Sequence, residues 1–361
     1  MSWRLPMRRF VKITLALLCA ATVGMAGPYT ADAAKAKKPT RVEIRTTTFG
    51  GSGYILGFGA TDILNKKSGW VRGSVLESSG TPENIKIVGQ DPKKRKRTFF
   101  TTSFEMFERA QKGQSPFEDK SELYKNLKVL INEQKLVAYL ITLDPNIKTL
   151  DQLRGKRVAT WPKGTTKFHL THNLIAGAGK DVADSIKWQF TGYGGYSDML
   201  VGKVDAALAF SPERGRNVFT TVPKMKALMT KRRVYFVSAT PAQRKKSAEL
   251  FGDAYGASMT LPANSFGKDI PREDVLGFAI IIAWSAYPEM PDKVAYEIIK
   301  TLHENYGMMK EYHSAGKAWF PENFGTYPAS KEAYHPGARK YYDEKGIHYG
   351  REYYLGVYGK K

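Results

Sequence analysis

From residue 41 to about residue 210 the chain alternates short apolar strand patterns with helical ones, and this restricts it to an α/β fold built on strand-helix units. Arg41-Val42-Glu43-Ile44-Arg45-Thr46 carries apolar residues at every second position, whereas Leu56, Ala60, Ile63 and Leu64 recur at helical spacing. Further strands are expected at 71–77, 99–103, 127–132, 136–142, 157–160, 186–190 and 204–210, with helices at 104–111, 166–178 and 195–201. A second extended apolar segment, 275–285, leads through Pro288 and Pro291 into an amphipathic helix expected over 292–309. In such folds ligands bind beyond the C-terminal ends of the strands, so the loops there are the candidate site.

The first of those loops is the most suggestive. Thr46-Thr47-Thr48-Phe49-Gly50-Gly51-Ser52-Gly53-Tyr54 joins a strand to a helix, and its glycines let backbone N–H groups approach a ligand where the helix dipole favours negative charge. An acidic ligand is predicted. The loop is neither a nucleophile elbow, since Tyr54 stands where Gly-x-Ser-x-Gly needs its last glycine, nor a P-loop, since it lacks the Gly-Lys-Ser/Thr ending. Glu105 and Glu108 lie on a helix and read as solvent charges, so no catalytic residue and no cofactor are expected. His169 and His172 share a helical face at i,i+3 without a third ligand, and no metal is expected there.

Arg4, Arg8, Arg9 and Lys12 precede an apolar run, 13–21, that is too short to span a bilayer. The pattern predicts a signal peptide over 1–34, cleaved after Ala33 or, alternatively, Ala26, and hence a periplasmic protein. A lipid anchor on Cys19 competes, although Leu18 stands where a small residue is usual. Cys19 is the single cysteine, so disulfides and cysteine metal sites are excluded from the mature chain. The formal charge of +22 falls to +19 when residues 1–34, with four basic residues and one acid, are removed. Such a field steers anions. Export argues against nucleic acid as the partner, and no zinc-finger or RNA-binding aromatic pattern is present.

Several landmarks together resemble the TAXI-type substrate-binding proteins of tripartite ATP-independent periplasmic (TRAP) transporters. They are Thr48-Phe49-Gly50-Gly51-Ser52-Gly53-Tyr54, Glu77-Ser78-Ser79-Gly80-Thr81-Pro82-Glu83-Asn84 and Leu150-Asp151-Gln152-Leu153-Arg154-Gly155-Lys156-Arg157-Val158. Pro162-Lys163-Gly164-Thr165-Thr166, Gly202-Lys203-Val204-Asp205-Ala206-Ala207 and His335-Pro336-Gly337-Ala338-Arg339-Lys340-Tyr341-Tyr342 complete the set. The resemblance implies a two-lobed type II periplasmic-binding-protein fold with a ligand cleft between lobes. It also implies a small carboxylate or amino-acid ligand, a TRAP-type membrane permease as partner, and no enzymatic activity. On this reading 1–34 is the signal peptide, 35–135 opens lobe 1, 136–284 forms lobe 2, and 285–361 returns to lobe 1 in a chain expected to be monomeric. A receptor for another importer or a sensor, and an exported enzyme on the same fold, are the other readings. The basic run 93–97 departs from the short turn usual in such proteins.

If the lobes close as the resemblance implies, the hydroxyl-rich loops converge on the ligand. The candidate ligand-binding residues are Ser52, Gly53, Tyr54, Ser79, Thr81, Ser103, Trp161, Lys163, Gly164, Thr165, Thr166, Tyr193 and Phe210. Hydroxyls and backbone N–H groups hold a carboxylate by charge-assisted hydrogen bonds, aromatics supply apolar walls, and Lys163 is placed to pair with the ligand charge. The competing roles are helix capping for the hydroxyls, core packing for the aromatics and solvent exposure for the lysine.

Overall fold

The computed structural model describes residues 38–251 and 258–358, so the expected signal peptide, its cleavage site and Cys19 lie outside the described residues. The first half runs β1 (Thr40–Arg45), α1 (Ser52–Lys67), β2 (Val71–Leu76), α2 (Thr81–Gly89), the one-turn α3 (Pro92–Arg95), β3 (Thr98–Ser103), α4 (Phe104–Lys112), the one-turn α5 (Ser121–Tyr124) and β4 (Lys128–Thr142). The second runs β5 (Arg157–Ala159), α6 (Thr166–Ala176), α7 (Lys180–Asp184), β6 (Lys187–Gln189), α8 (Gly195–Leu200), β7 (Ala206–Gly215), β8 (Val218–Phe219), α9 (Pro223–Lys231), β9 (Tyr235–Val237), α10 (Pro241–Phe251) and β10 (Ser258–Leu261). The chain returns on β11 (Val275–Ala286), α11 (Asp292–Glu304), α12 (Met309–Tyr312), α13 (Pro336–Glu344) and α14 (Arg351–Tyr358).

All eleven strands join one sheet whose main path is β2-β1-β3-β11-β4-β7-β5-β6. Parallel strand-helix units stand at both ends: β1 pairs with β2 and β3, and β5 pairs with β6 and β7. The antiparallel pair β4 and β11 runs between them and belongs to both. This is an α/β arrangement in which two parallel strand-helix units share two long strands. The amphipathic reading of the first unit holds in detail: Val42 and Ile44 point inward from β1, and Leu56, Ala60, Ile63 and Leu64 form the buried face of α1. Among the described residues no helix is long and apolar enough to cross a membrane.

Three local expectations change. The strands expected at 127–132 and 136–142 are one 15-residue strand, β4, because Glu133, Gln134 and Lys135 stay extended and buried in its middle. The helix expected over 292–309 ends at Glu304 and continues as a single 3-10 turn, Tyr306–Met308. The tyrosine-rich tail is core: Tyr334, Tyr341, Tyr342 and Tyr354 are almost fully enclosed. Two of these hydroxyls satisfy backbone carbonyls: Tyr342 donates to Leu130 O at 2.7 Å and Tyr334 to Gly325 O at 2.9 Å. Such pairing is what lets phenols enter a core.

The polar middle of β4 is satisfied by segments far apart in sequence. Lys135 Nζ donates to Asn323 Oδ1 and, at 2.7 Å, to Thr326 Oγ1, and stands 3.7 Å from Glu213 Oε2 on β7. Tyr358 in α14 donates to the same carboxylate at 3.1 Å, and its ring centroid lies 4.9 Å from the ammonium. Both Lys135 and Glu213 are fully enclosed. Removing one partner strands the other charge, which typically costs about 3–5 kcal/mol, whereas replacing both with apolar residues is far milder. We therefore expect Lys135→Met to lose stability on that scale in urea unfolding and Lys135→Met/Glu213→Leu to recover most of it; a single variant within about 1 kcal/mol of wild type would contradict the pairing.

Candidate functional site

Three helices of the first half start beyond the C-terminal ends of their strands, and their N-termini lie close together. Gly51 precedes α1 without a side-chain cap, and Gly50 adopts φ 77°, a backbone geometry that suits glycine. A Cβ at Gly53 would sit 3.0 Å from Thr47 Oγ1 and 3.3 Å from Glu133 Oε1. Glycine at 53 thus lets the helix start press against a buried carboxyl. Ser52 and Tyr54 are half-buried, the Tyr54 ring meeting exposed Phe49 at 5.1 Å. Ser79 bonds within its own turn, its N–H donating to Glu83 Oε2 at 2.9 Å and its hydroxyl to the same atom. Thr81 Oγ1 accepts the Ser103 N–H at 3.1 Å and so ties the starts of α2 and α4.

Ser103 is where the halves meet. It precedes α4 as a cap residue, yet its hydroxyl makes no cap bond; instead Ser103 Oγ lies 3.0 Å from Thr166 Oγ1 at the start of α6. Thr165 does cap α6, accepting the Phe168 N–H at 3.2 Å. Just before it, Trp161, Tyr193 and Phe210 form a ring cluster with centroid separations of 5.2, 5.6 and 5.5 Å. A hydroxyl pair, Ser103 with Thr166, and a ring cluster, Trp161 with Tyr193 and Phe210, thus both adjoin the start of α6. Lys163 and Gly164 are exposed in the turn before α6 and join neither.

The lysine that reaches the rings is Lys167, in the first turn of α6. Its ammonium lies 4.3 Å from the Trp161 centroid, 5.0 Å from Phe210 and 5.7 Å from Tyr193. Burial brings its pKa down to about 8. Sequence reasoning passed over it because the first turn of a helix offers no periodic signal for side-chain direction. Glu133 was missed too, for a different reason. Ile282 of β11 opposes Gln134 and the next residue, Ala283, opposes Asn132, so Glu133 is the extra residue of a β-bulge and its side chain is re-aimed. Thr101 Oγ1 and Gln134 Nε2 each donate to its carboxyl at 3.0 Å, and burial pushes its pKa up to about 8.

Other candidates sit elsewhere. Glu105, expected in solvent, is buried against Arg109, whose Nε approaches it to 3.1 Å. His169 is half-buried and held down to about 4 by burial, then by the charges of Arg109 and His172. In the basic run, Arg95 donates to Gly89 O at 2.9 Å, pairs with Glu289 at 2.7 Å and stacks 4.3 Å from the Tyr287 ring centroid. Arg97 pairs with Glu43 at 3.3 Å, while Lys93 and Lys96 are exposed or nearly so. The run precedes β3, whereas Ser103 closes it, so the two stand at opposite ends of that strand. A shallow cavity of about 240 Å³ near Asp144, Lys156, Met199 and Asp205 lies by the N-terminal ends of β5 and β7, and Asp205 there is already bound by Arg157 at 2.7 Å.

A family model described as "NMT1-like family" matches residues 44–346. No curated protein sequence matches the chain significantly. Among solved structures, the chain is similar to malate-bound MatC from Rhodopseudomonas palustris, with 12% identity, 78% of this chain and 91% of that one covered, and a TM-score of 0.48. It is similar to a TctC solute-binding protein from Polaromonas at 11% identity, with 90% and 94% covered and a TM-score of 0.44. The adipate-bound protein of R. palustris gives 14%, 74%, 84% and 0.47 for the same quantities.

Glu133 predicts a particular pH dependence. Its pKa rises from an ordinary value near 4.5 to about 8 on folding, so between those values the native state holds a proton that the unfolded chain releases. Its contribution is therefore fully present below pH 4.5 and is lost as pH rises through about 8. In Glu133→Gln, which keeps the shape and has no charge to gain, this loss should disappear. Urea unfolding between pH 5 and 9 should show wild type falling relative to the variant by a few kcal/mol, at about 1.4 kcal/mol per unit of pKa displacement. Parallel curves for the two proteins would place a charged carboxylate in the fold.

Proposed function

We propose, from the premise that the chain belongs to the NMT1-like family, that it is a periplasmic solute receptor binding a small carboxylate or amino acid between its two halves. The observation that carries this reading is the meeting of Ser103 with Thr166 at 3.0 Å beside the Trp161, Tyr193 and Phe210 rings. Hydroxyls and helix N-termini suit a carboxylate, and the rings suit the carbon skeleton behind it. Ser52, Gly53 and Tyr54 at the start of α1, with Thr81 and Thr165 as supports, complete the proposed site. Ser79, Lys163 and Gly164 form its outer rim.

Residues 35–135 and 285–361 form one lobe in this reading and 136–284 the other, with β4 and β11 as the crossings. Ligand contacts made only when the lobes close supply the free energy of closure, and the closed surface is what a permease recognises. The export signal read over 1–34 supports a periplasmic receptor, and a monomer is part of the same proposal. The TAXI landmarks in the sequence support a TRAP-type permease as the partner.

Calorimetry with amino acids, oxoacids and dicarboxylates, followed by product analysis, tests the reading. Stoichiometric binding with unchanged ligand is expected; consistent turnover would refute it. Trp161→Ala removes the ring at the centre of the cluster and should weaken binding by about 1–3 kcal/mol. His169→Ala alters a group that senses the charge of Arg109 rather than the ring cluster, and should change affinity much less. Equal affinities for wild type and folded Trp161→Ala would remove the rings from the site.

A further inference from the structure

Two lysines of this protein have very different surroundings. Lys135 has two hydrogen-bond acceptors and the Glu213 carboxylate around it. Lys167 has three aromatic rings and, among the described residues, neither a hydrogen-bond acceptor nor a carboxylate paired with it. Ring faces attract an ammonium, which offsets part of its lost hydration but leaves its charge uncompensated. The residue as a whole is half-buried. It also follows Thr166 directly, whose hydroxyl is the second half's contribution to the contact with Ser103.

We propose that Lys167 is the counter-ion for the ligand's carboxylate, held ready by Trp161, Tyr193 and Phe210. This rests on the receptor reading above and names the group that gives it charge selectivity. A carboxylate entering between the halves meets the ammonium together with the Ser103 and Thr166 hydroxyls, and its carbon skeleton lies along the rings. Burial of the ammonium, which has already lowered its pKa, makes an anionic partner more valuable than it is at an exposed lysine. Exposed Lys163, by contrast, contributes only screened attraction. The ligand class that follows is an organic anion with an apolar stretch beside its carboxylate; neutral amides of the same shape are rejected because they leave the charge unpaired.

The test compares acids with their amides. Wild type, Lys167→Met and Lys167→Arg are titrated calorimetrically with succinate, malate, adipate, glutamate and 2-oxoglutarate, and with the diamides of succinate and adipate. Circular dichroism and thermal unfolding establish that each variant is folded. Wild type should prefer at least one acid over the amides by tenfold or more. Lys167→Met, which keeps the rings covered, should lose at least tenfold for that acid and nothing comparable for its amide, while Lys167→Arg retains most of the preference. A folded Lys167→Met that binds the acid as wild type does overturns the assignment and leaves the receptor reading standing. Wild type that binds none of the acids overturns both.

Discussion

The structure depends on one constraint: β4 and β11 must run unbroken through the centre of a single sheet while carrying polar residues where no water reaches. Covered on both faces, β4 stays buried from Val129 to Thr142. A charge there is tolerated only when it is paired or neutralised, and the two charged positions use different routes. Lys135 keeps a carboxylate and two acceptors, whereas burial pushes Glu133 toward its neutral form. Lys135 thereby joins β4 to β7, to the segment around Asn323 and Thr326, and through Glu213 to α14. The C-terminal tail is part of the central architecture for this reason.

That shared pair of strands also sets the geometry of the candidate site. With β3 on one side of β11 and β7 on the other side of β4, the end of β3 faces the segment that follows β5. Ser103 and Thr166, 63 positions apart, come to 3.0 Å. Ser103 forgoes the usual bond of a cap residue to its own helix and turns its hydroxyl toward the other half. On the other side Thr165 does cap α6, leaving its neighbour Thr166 to make the contact. Adjacent hydroxyls at one helix start thus divide between local structure and the proposed binding surface, which is why capping and ligand contact are not exclusive at such a position.

Periodicity made much of the fold legible. The inward residues of β1 and α1 follow directly from alternation and helical spacing, and β2, β3 and β5 lie within a residue of their expected bounds. Alternation fails where a strand is covered on both faces, and four successive polar residues in β4, 132–135, look like a break between two strands. The tail was opaque for a related reason: tyrosines and glycines carry no clear period, and their burial depends on hydroxyl partners supplied by remote carbonyls such as Leu130 O. In the site, residue types identified the hydroxyl loops and aromatics but not their orientation. A bulge turns Glu133 toward Gly53, and the first turn of α6 turns Lys167 into the rings. Neither displacement leaves a trace in composition or spacing.

The high positive charge and the candidate site act over different ranges. The basic run around Arg95 is anchored to Glu289 and Tyr287 at the start of β3, and a six-residue strand places it roughly 17 Å from Ser103 at about 3.3 Å per residue. Screening at physiological salt extends only about 8 Å. Those charges and the rest of the net positive charge therefore raise the rate of anion encounter without distinguishing one anion from another. Discrimination has to come from groups within contact distance and sheltered from water. On the proposed surface these are two facing hydroxyls, three rings and the ammonium of Lys167, so specificity there rests on desolvation and geometry more than on net charge.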